Sequence, residues 1–587
     1  MERAIESKDR IIEIEQAKEC INYIPVDHVD VMPVVAGPDN GTDEEVSNKE
    51  NETYFGMNVE NVWNRGYSGK DINAAVLDVG INTNIGDLSK NINKVLAFNF
   101  IDNTTNVTPE NFPSYRTDSL RFVDHGNRCA SIIAAEKGNG VCGAGIAYEA
   151  KVVPLKIISV EHKYHKFKAN TISDIIGRAL AYGLQHIHVY SNSWSPPEKF
   201  EPLDMAIREA ILYGVTKGRN KLGAIYVVPD GSDGVSGSGL ANNIHTITVN
   251  SVGVNGVLPR RPQVSACVLT SGLGEGNRLN TNYMLTSSFN NRCIRSFKGV
   301  SAAVAEVSAI IALALQARPL LSVRDIQYLL VESSDQQQLA KTNELKENAA
   351  GKLFNPFLGF GLIDADKMVS LSKTWPLVGN IYSSTLRYKN ISLKRIDKHQ
   401  YDSKTERITY EIEFKMEENR CQPHVNTIEH VVLYISHVIV TQRNMILKII
   451  SPSNTVSIVV DNGDADSFSK DTTPRNLTSV HFWGENPFGR WKVRIQLAHT
   501  TGTYCSQNEY QLELVSLTVY GAFDESKRTW KCVLPTQQTT TTQKNRNSVS
   551  QTSTTMKSHE RITCWDESVF NLVQLRAVTA MTSPRKE

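Results

Sequence analysis

Apolar positions along the chain fall into three regimes. From Tyr54 to about residue 373, short apolar runs alternate with stretches of helical spacing. Runs at 72–80, 150–157, 186–190, 223–228 and 244–249 read as strands. Segments 58–67, 172–184 and 203–215 carry apolar residues three and four apart, such as Val59, Val62 and Trp63, and read as helices. The longest apolar stretch, 304–317, follows Gly299-Val300-Ser301-Ala302-Ala303 and stops at Pro319. It predicts a buried helix with Ser301 as its N-cap. Strand–helix alternation of this kind predicts a parallel sheet covered on both faces.

After residue 373 the period changes. Short β-type runs at 407–414, 431–435, 445–450, 456–460, 491–496 and 512–520 are separated by turn residues. They predict an antiparallel β domain, a sandwich or jelly roll. Both ends of the chain are polar, and 537–555 is dominated by Thr, Gln and Ser, too poor in apolar surface to fold alone. The expected organisation is a flexible leader (1–53), an α/β domain (54–373), a β domain (374–524) and a disordered tail (525–587).

Composition narrows this little. The 587 residues carry a net charge of +1, which gives no argument for nucleic acid. No uninterrupted apolar run approaches 20 residues, so no membrane span is expected. Asn-x-Ser/Thr triplets begin at Asn40, Asn51, Asn103, Asn106, Asn390 and Asn476. Nine cysteines without a Cys-x-x-Cys pair do not suggest zinc, and their odd number leaves one thiol free or paired between chains.

The chemistry lies at three element ends. Asp78 closes an apolar strand, the end at which open α/β sheets build sites. His125 opens the apolar helix 125–135, and Ser301 sits at the start of the longest one. Free backbone N–H groups at such a start favour a developing negative charge. An acid, a base and a hydroxyl in the order Asp, His, Ser match the chain order of the subtilisin triad.

The segments AAVLDVGI, DHGNRCASIIAAEKGNGVCGAGIAY, HVYSNSW, LYGVTKGRNKLGAIYV and GVSAAV, followed by IEHVVLYI, LKIISPSNT and HFWGENPFGRWKVRI, resemble the kexin/furin proprotein convertases. These are subtilisin-like serine endoproteases with a following P domain, and the likeness covers roughly residues 54–524. It implies a subtilisin-like α/β catalytic domain and a jelly-roll-like P domain. Asp78 would orient the base His125, and Ser301 would be the nucleophile. Cys129 matches a cysteine that is usually unpaired. Cys142 and Cys293 fall on disulfide positions, which implies an oxidising compartment of the secretory pathway. Asp87 and Asn139, with the carbonyls of Glu136, Val141 and Gly143, fall on a calcium site, whose all-oxygen shell suits Ca²⁺. The implied partners are precursor polypeptides, acted on by a monomer.

The departures from the family pattern concern substrate. The oxyanion-hole Asn is replaced by Ser232, or by Asp233 if the register shifts by one. Val300, Ala305 and Asn127 stand at altered positions near the triad. Among the candidate substrate-binding residues, Val79 replaces an acid, and Ser193-Trp194-Ser195-Pro196 replaces Ser-Trp-Gly-Pro, with Glu198 as the remaining acid. Segment 235–239 lacks a further acid and a cysteine, which leaves Cys267 without its family partner, and Gly177 replaces another acid. Neither a signal peptide nor an inhibitory prosegment is legible in residues 1–53; an incomplete N-terminus and a true variant are both open readings. Two functions follow: an endopeptidase of altered specificity, or a catalytically silent homologue that binds or regulates.

Overall fold

The computed structural model describes residues 56–527, apart from the internal segments 111–121, 164–165, 197–199, 201, 232–236, 255, 260–263, 275–283, 338, 340–342, 393–398, 403–406, 419–423, 437–444, 462–473 and 499–510. The first part contains strands β1 (Asn73–Asp78), β2 (Phe98–Asn99), β3 (Lys151–Lys156), β4 (Ser159–Lys163), β5 (Lys166–Asn170), β6 (Val189–Ser191), β7 (Ile225–Pro229), β8 (Thr246–Val252), β9 (Thr270–Leu273), β10 (Met284–Ser288), β11 (Arg292–Phe297), β12 (Ser334–Asp335), β13 (Lys346–Glu347), β14 (Leu353–Phe354) and β15 (Leu362–Ile363). Its helices are α1 (Val59–Asn64), α2 (Gly86–Ser89), α3 (His125–Ala134), α4 (Ser173–Leu180), α5 (Met205–Lys221), α6 (Val300–Ala317), α7 (Val323–Ser333) and α8 (Ala365–Thr374).

Nine strands form one sheet in the order β12-β15-β9-β8-β7-β6-β1-β3-β2. Every pair is parallel except the edge pair β12–β15. Both faces are covered, which is why the strands read as continuous apolar runs. In β1, Ala74 and Val76 enter one core with Val62 of α1, Ile132 of α3, Ile310 of α6, Leu330 of α7 and Met368 of α8. Ala75 and Leu77 enter the opposite core with Ile176 and Leu180 of α4 and Ile207 and Ile211 of α5. The expected two-faced α/β sheet is therefore present.

The second part holds β16 (Tyr382–Ser392), β17 (His399–Asp402), β18 (Arg407–Met416), β19 (Thr427–Ser436), β20 (Met445–Ile450), β21 (Val456–Val460), β22 (Arg475–Ser479), β23 (Gly489–Ala498) and β24 (Gln511–Ala522). They form two antiparallel sheets, β16-β24-β19-β22 and β17-β18-β23-β20-β21. Val431 and Leu433 of one sheet and Phe414, Trp491 and Val493 of the other share one core, as in a sandwich. The two parts meet at Glu429 of β19, which is fully buried. Its carboxylate accepts hydrogen bonds from Arg324 Nε (3.0 Å) and Tyr328 Oη (2.8 Å) of α7.

Helix α6 begins two residues earlier than its sequence suggests. Gly299, not Ser301, is the N-cap, because φ of 85° and ψ of −175° is open to glycine and costly for other residues. The helix is long and apolar enough to cross a bilayer, but most of it is buried in the core. One polar residue goes in with it: Glu306 is fully buried. One of its carboxyl oxygens accepts the Leu273 backbone N–H at 2.7 Å, and the other has no hydrogen-bond partner among the described residues. Burial pushes this carboxyl well above its ordinary value, against the opposing effect of the Leu273 N–H.

A carboxyl with a raised folded-state pKa contributes stability in acid. That contribution declines as pH climbs from the unfolded value of about 4.3 through the folded one. Melting temperatures measured from about pH 5 to about pH 8 should therefore fall, and Glu306→Gln should flatten the fall. Parallel curves for the two proteins would contradict this assignment.

Candidate active site

The site is assembled from three element ends. Strand β1 delivers Asp78 to the carboxyl edge of the sheet, 1% exposed. One oxygen of its carboxylate accepts the Val79 N–H at 2.7 Å, and the other lies 2.7 Å from His125 Nδ1. His125 is the first residue of α3. The helix approaches β1 this closely because residue 126 is glycine: a Cβ there would lie 2.2 Å from the Gly80 carbonyl oxygen.

Asp124, fully buried just before the helix, fixes its entry. It accepts hydrogen bonds from Asn127 Nδ2 (2.8 Å), Arg128 Nε (2.9 Å), Ser288 Oγ (2.5 Å) and the Phe289 N–H (3.3 Å). The hairpin β10–β11 thereby grips α3, and its Phe297 ring stands edge-on to the His125 ring, 5.6 Å between centroids.

Ser301 completes the line. Its Oγ is 3.0 Å from His125 Nε2 and 3.2 Å from the Ser193 carbonyl oxygen. Ser193 Oγ in turn donates to the Ser301 carbonyl at 3.1 Å. Ser301 lies in the first turn of α6, where backbone N–H groups lack intrahelical acceptors. Burial opposes charge on His125, but the Asp78 carboxylate outweighs it and holds the imidazole well above 6.5. Cys129 Sγ lies 3.9 Å from Nδ1, one helical turn along, and is buried as a free thiol. The arrangement can draw a proton from Ser301 Oγ onto Nε2 while Asp78 fixes the tautomer and stabilises the resulting cation.

The other sequence-predicted residues divide into groups. Ser193, Trp194 and Ser195 are buried in the segment that follows β6 and leads past Ser301. Val79 is wholly inside the second core. Glu198 and Ser232 lie outside the described residues. Cys142 and Cys293 form a disulfide between the 138–143 turn and β11, closing a separation of 151 residues.

Asp87 is fully buried at α2. It accepts hydrogen bonds from Asn139 Nδ2 (2.8 Å) and from Ser287 Oγ, and its carbonyl accepts the Glu136 N–H (2.8 Å). Burial holds its carboxyl above the usual range despite the Ser287 and Asn139 hydrogen bonds. Among the described residues no lysine or arginine pairs with it. Asn139 Oδ1 also accepts the Val141 N–H (2.8 Å), which draws the 139–143 turn towards Asp87. The Asp87 carboxylate and the Asn139 amide oxygen are hard oxygen donors, the ligand type that a dication such as Ca²⁺ takes.

Asp124 and Phe297 are the residues that sequence reading missed. The first has a local signal, a capping-type acid immediately before a helix. The second has none, because its contact with His125 spans the chain.

The three residues follow the chain order of the subtilisin triad, Asp, His, Ser. The subtilase family model matches residues 69–361, and the proprotein convertase P-domain model matches 428–514. Neuroendocrine convertase 2 of Caenorhabditis elegans is 30% identical over 74% of this chain and 68% of its own length. Human proprotein convertase subtilisin/kexin type 6 is 31% identical over 75% of this chain and 44% of its own. This chain thus spans about two thirds of the first relative and under half of the second. A solved serine protease from Aeromonas sobria, in complex with its chaperone, superposes with a TM-score of 0.63 over 78% of this chain and 89% of that one at 17% identity, and shares the fold. The chain belongs to the proprotein convertase family.

The disulfide closes a long loop and ties β11, which carries Phe297, to the turn beside Asp87. Replacing both Cys142 and Cys293 by serine should cost about 2–5 kcal/mol in denaturant unfolding. An unchanged midpoint would show that the hairpin is held without it.

Proposed function

We propose that this chain is a serine endopeptidase acting on precursor polypeptides, with Ser301 as nucleophile, His125 as general base and Asp78 as its orienting acid. One observation carries the reading: the continuous line from Asp78 to His125 (2.7 Å) to Ser301 Oγ (3.0 Å). Ser301 Oγ attacks the scissile carbonyl carbon as its proton passes to His125 Nε2. The backbone N–H groups at the start of α6, with a hydrogen bond from Ser232, stabilise the oxyanion. Nε2 then gives the proton to the leaving amine, and an acyl-enzyme on Ser301 remains. Water, deprotonated by the same nitrogen, hydrolyses the ester and restores Ser301.

The subsites differ from those for paired basic residues. Burying a lysine or arginine side chain requires a charged partner. Val79, Ser193 and Ser195 offer none, and Glu198 is the remaining acid of the set. We therefore assign a relaxed basic preference, with selectivity for at most one basic side chain. Asp87, Asn139 and the carbonyls of Glu136, Val141 and Gly143 would hold Ca²⁺, which would neutralise the buried Asp87 charge and fix the turn beside β10. The disulfide, together with exposed Asn103, Asn106 and Asn476, supports a secretory-pathway or extracellular location.

Labelling of the purified chain by a fluorophosphonate probe tests the reading, with Ser301→Ala as the blank. The wild type should label, and His125→Ala should lose about 10⁴–10⁶ of the rate without unfolding. Ser232→Asn, which lengthens the proposed oxyanion donor, should raise the rate by about tenfold or more. Absence of labelling in the folded wild type would replace this reading with that of a silent, partner-binding homologue, which the serine at the oxyanion position favours. In thermal melts, calcium should raise the midpoint of the wild type and not of Asp87→Asn. Equal midpoints with calcium and with chelator would remove the metal assignment.

A further inference from the structure

Three Asn-x-Thr triplets lie among the residues whose side chains the structure describes: 103–105, 106–108 and 476–478. Such a triplet is the acceptor for an N-linked sugar, and its hydroxyl, two residues after the asparagine, belongs to the recognised pattern. At 103–108 acceptors and hydroxyls are both open: Asn103, Thr105, Asn106 and Thr108 are exposed. The third triplet is built differently.

Asn476, Leu477 and Thr478 belong to β22, an edge strand bonded within its sheet to β19 alone. Successive side chains of a strand take opposite faces. Leu477, 1% exposed, enters the sandwich core, so Asn476 and Thr478 lie on the other face, opposite Tyr434 and Val432 of β19. Asn476 is exposed there, and a sugar on its amide leaves the core untouched. Thr478 is 3% exposed, because the α/β part covers it. The Thr478 N–H donates to Asn242 Oδ1 at 2.8 Å, and Thr478 Oγ1 donates to the Asn242 carbonyl at 2.5 Å. Two residues on, the Val480 N–H donates to the Ala266 carbonyl at 2.8 Å. One triplet thus holds its acceptor amide in solvent and its hydroxyl in a buried hydrogen bond between the two parts.

We propose that Asn476 carries an N-linked oligosaccharide attached before β22 pairs and docks, and that docking then closes this triplet while those at 103–108 stay open. The inference rests on the proposed secretory-pathway location. In the transfer, Asn476 Nδ2 bonds to C1 of the first sugar of a lipid-linked oligosaccharyl diphosphate. The C1–O bond breaks, the lipid diphosphate leaves with the electron pair, and the displaced amide proton passes to a base of the transferring enzyme. Freeing Thr478 after docking requires β22 to leave both β19 and Asn242, and buried, hydrogen-bonded strands open rarely. The sugar then stands on an edge strand, where a bulky polar group hinders pairing with a second chain.

The test uses the full chain, directed into a eukaryotic secretory pathway by a cleavable signal. Peptide mapping after enzymatic deglycosylation in heavy-oxygen water should find residue 476 converted to labelled aspartate, with Asn476→Gln as the blank. Secreted, folded chain with Asn476 unmodified would overturn the site. The order of events is tested on chain folded without sugars, then given purified oligosaccharyltransferase and lipid-linked oligosaccharide. Asn476 should be modified at least about tenfold more slowly in the folded chain than in chain unfolded and carboxymethylated at its cysteines, and Asn103 and Asn106 should be slowed far less. Equal rates at Asn476 in folded and unfolded chain would overturn the closure by docking. Fractionation of the unfused chain away from secretory vesicles would instead sink the location reading, and occupancy and rates in the directed chain would still decide the site.

Discussion

The hydrogen bond between Asp78 and His125 constrains everything around it. A carboxylate that is 1% exposed is stable only when paired, and removing one partner of a buried pair costs roughly 3–5 kcal/mol. The chain builds the pair from apolar parts. Strand β1 lies between β6 and β3 with both faces buried, so its end is fixed in space. Helix α3 comes to it over Gly126, and Asp124 locks the helix to the β10–β11 hairpin. Helix α6 then needs only to place the first turn of a long apolar element at the other face of the imidazole. The pair in turn raises the basicity of His125 and leaves Nε2 free to act on Ser301.

Rigid surroundings extend in both directions from this point. On one side, the disulfide, Asp87 and Ser287 secure the hairpin that packs Phe297 against the imidazole. On the other, the β domain is tied to the α/β part by Glu429, by Asn242 and by the Ala266 carbonyl. These ties are polar, directional and buried, so they fix the relative placement of the groups they join more sharply than apolar contact alone. The same contacts join the edge of the β domain to segments of the α/β part around residues 242 and 266.

Much of this was legible in the residues. Runs 445–450 and 456–460 coincide with β20 and β21. The strand closed by Asp78 ends where β1 ends, and there burial on both faces leaves continuous apolar sequence. His125 opens a helix as its apolar sequel implied. The hairpin 284–297 was not legible. Its strands are polar, and its stability comes from partners more than 150 residues away, Ser131 and Asp124. The start of α6 shifted because a glycine in an unusual backbone conformation has no periodicity to read. Glu306 was hidden inside an apolar pattern, and the contacts of β22 belong to tertiary geometry alone.

The most direct measurement is the ionisation of His125 itself, followed by NMR of histidine-labelled protein in a Ser301→Ala background. The account predicts a pKa above the usual 6.5 that falls when Asp78 is replaced by Asn. A His125 pKa at or below 6.5, unmoved by Asp78→Asn, would contradict the buried pair on which the site depends.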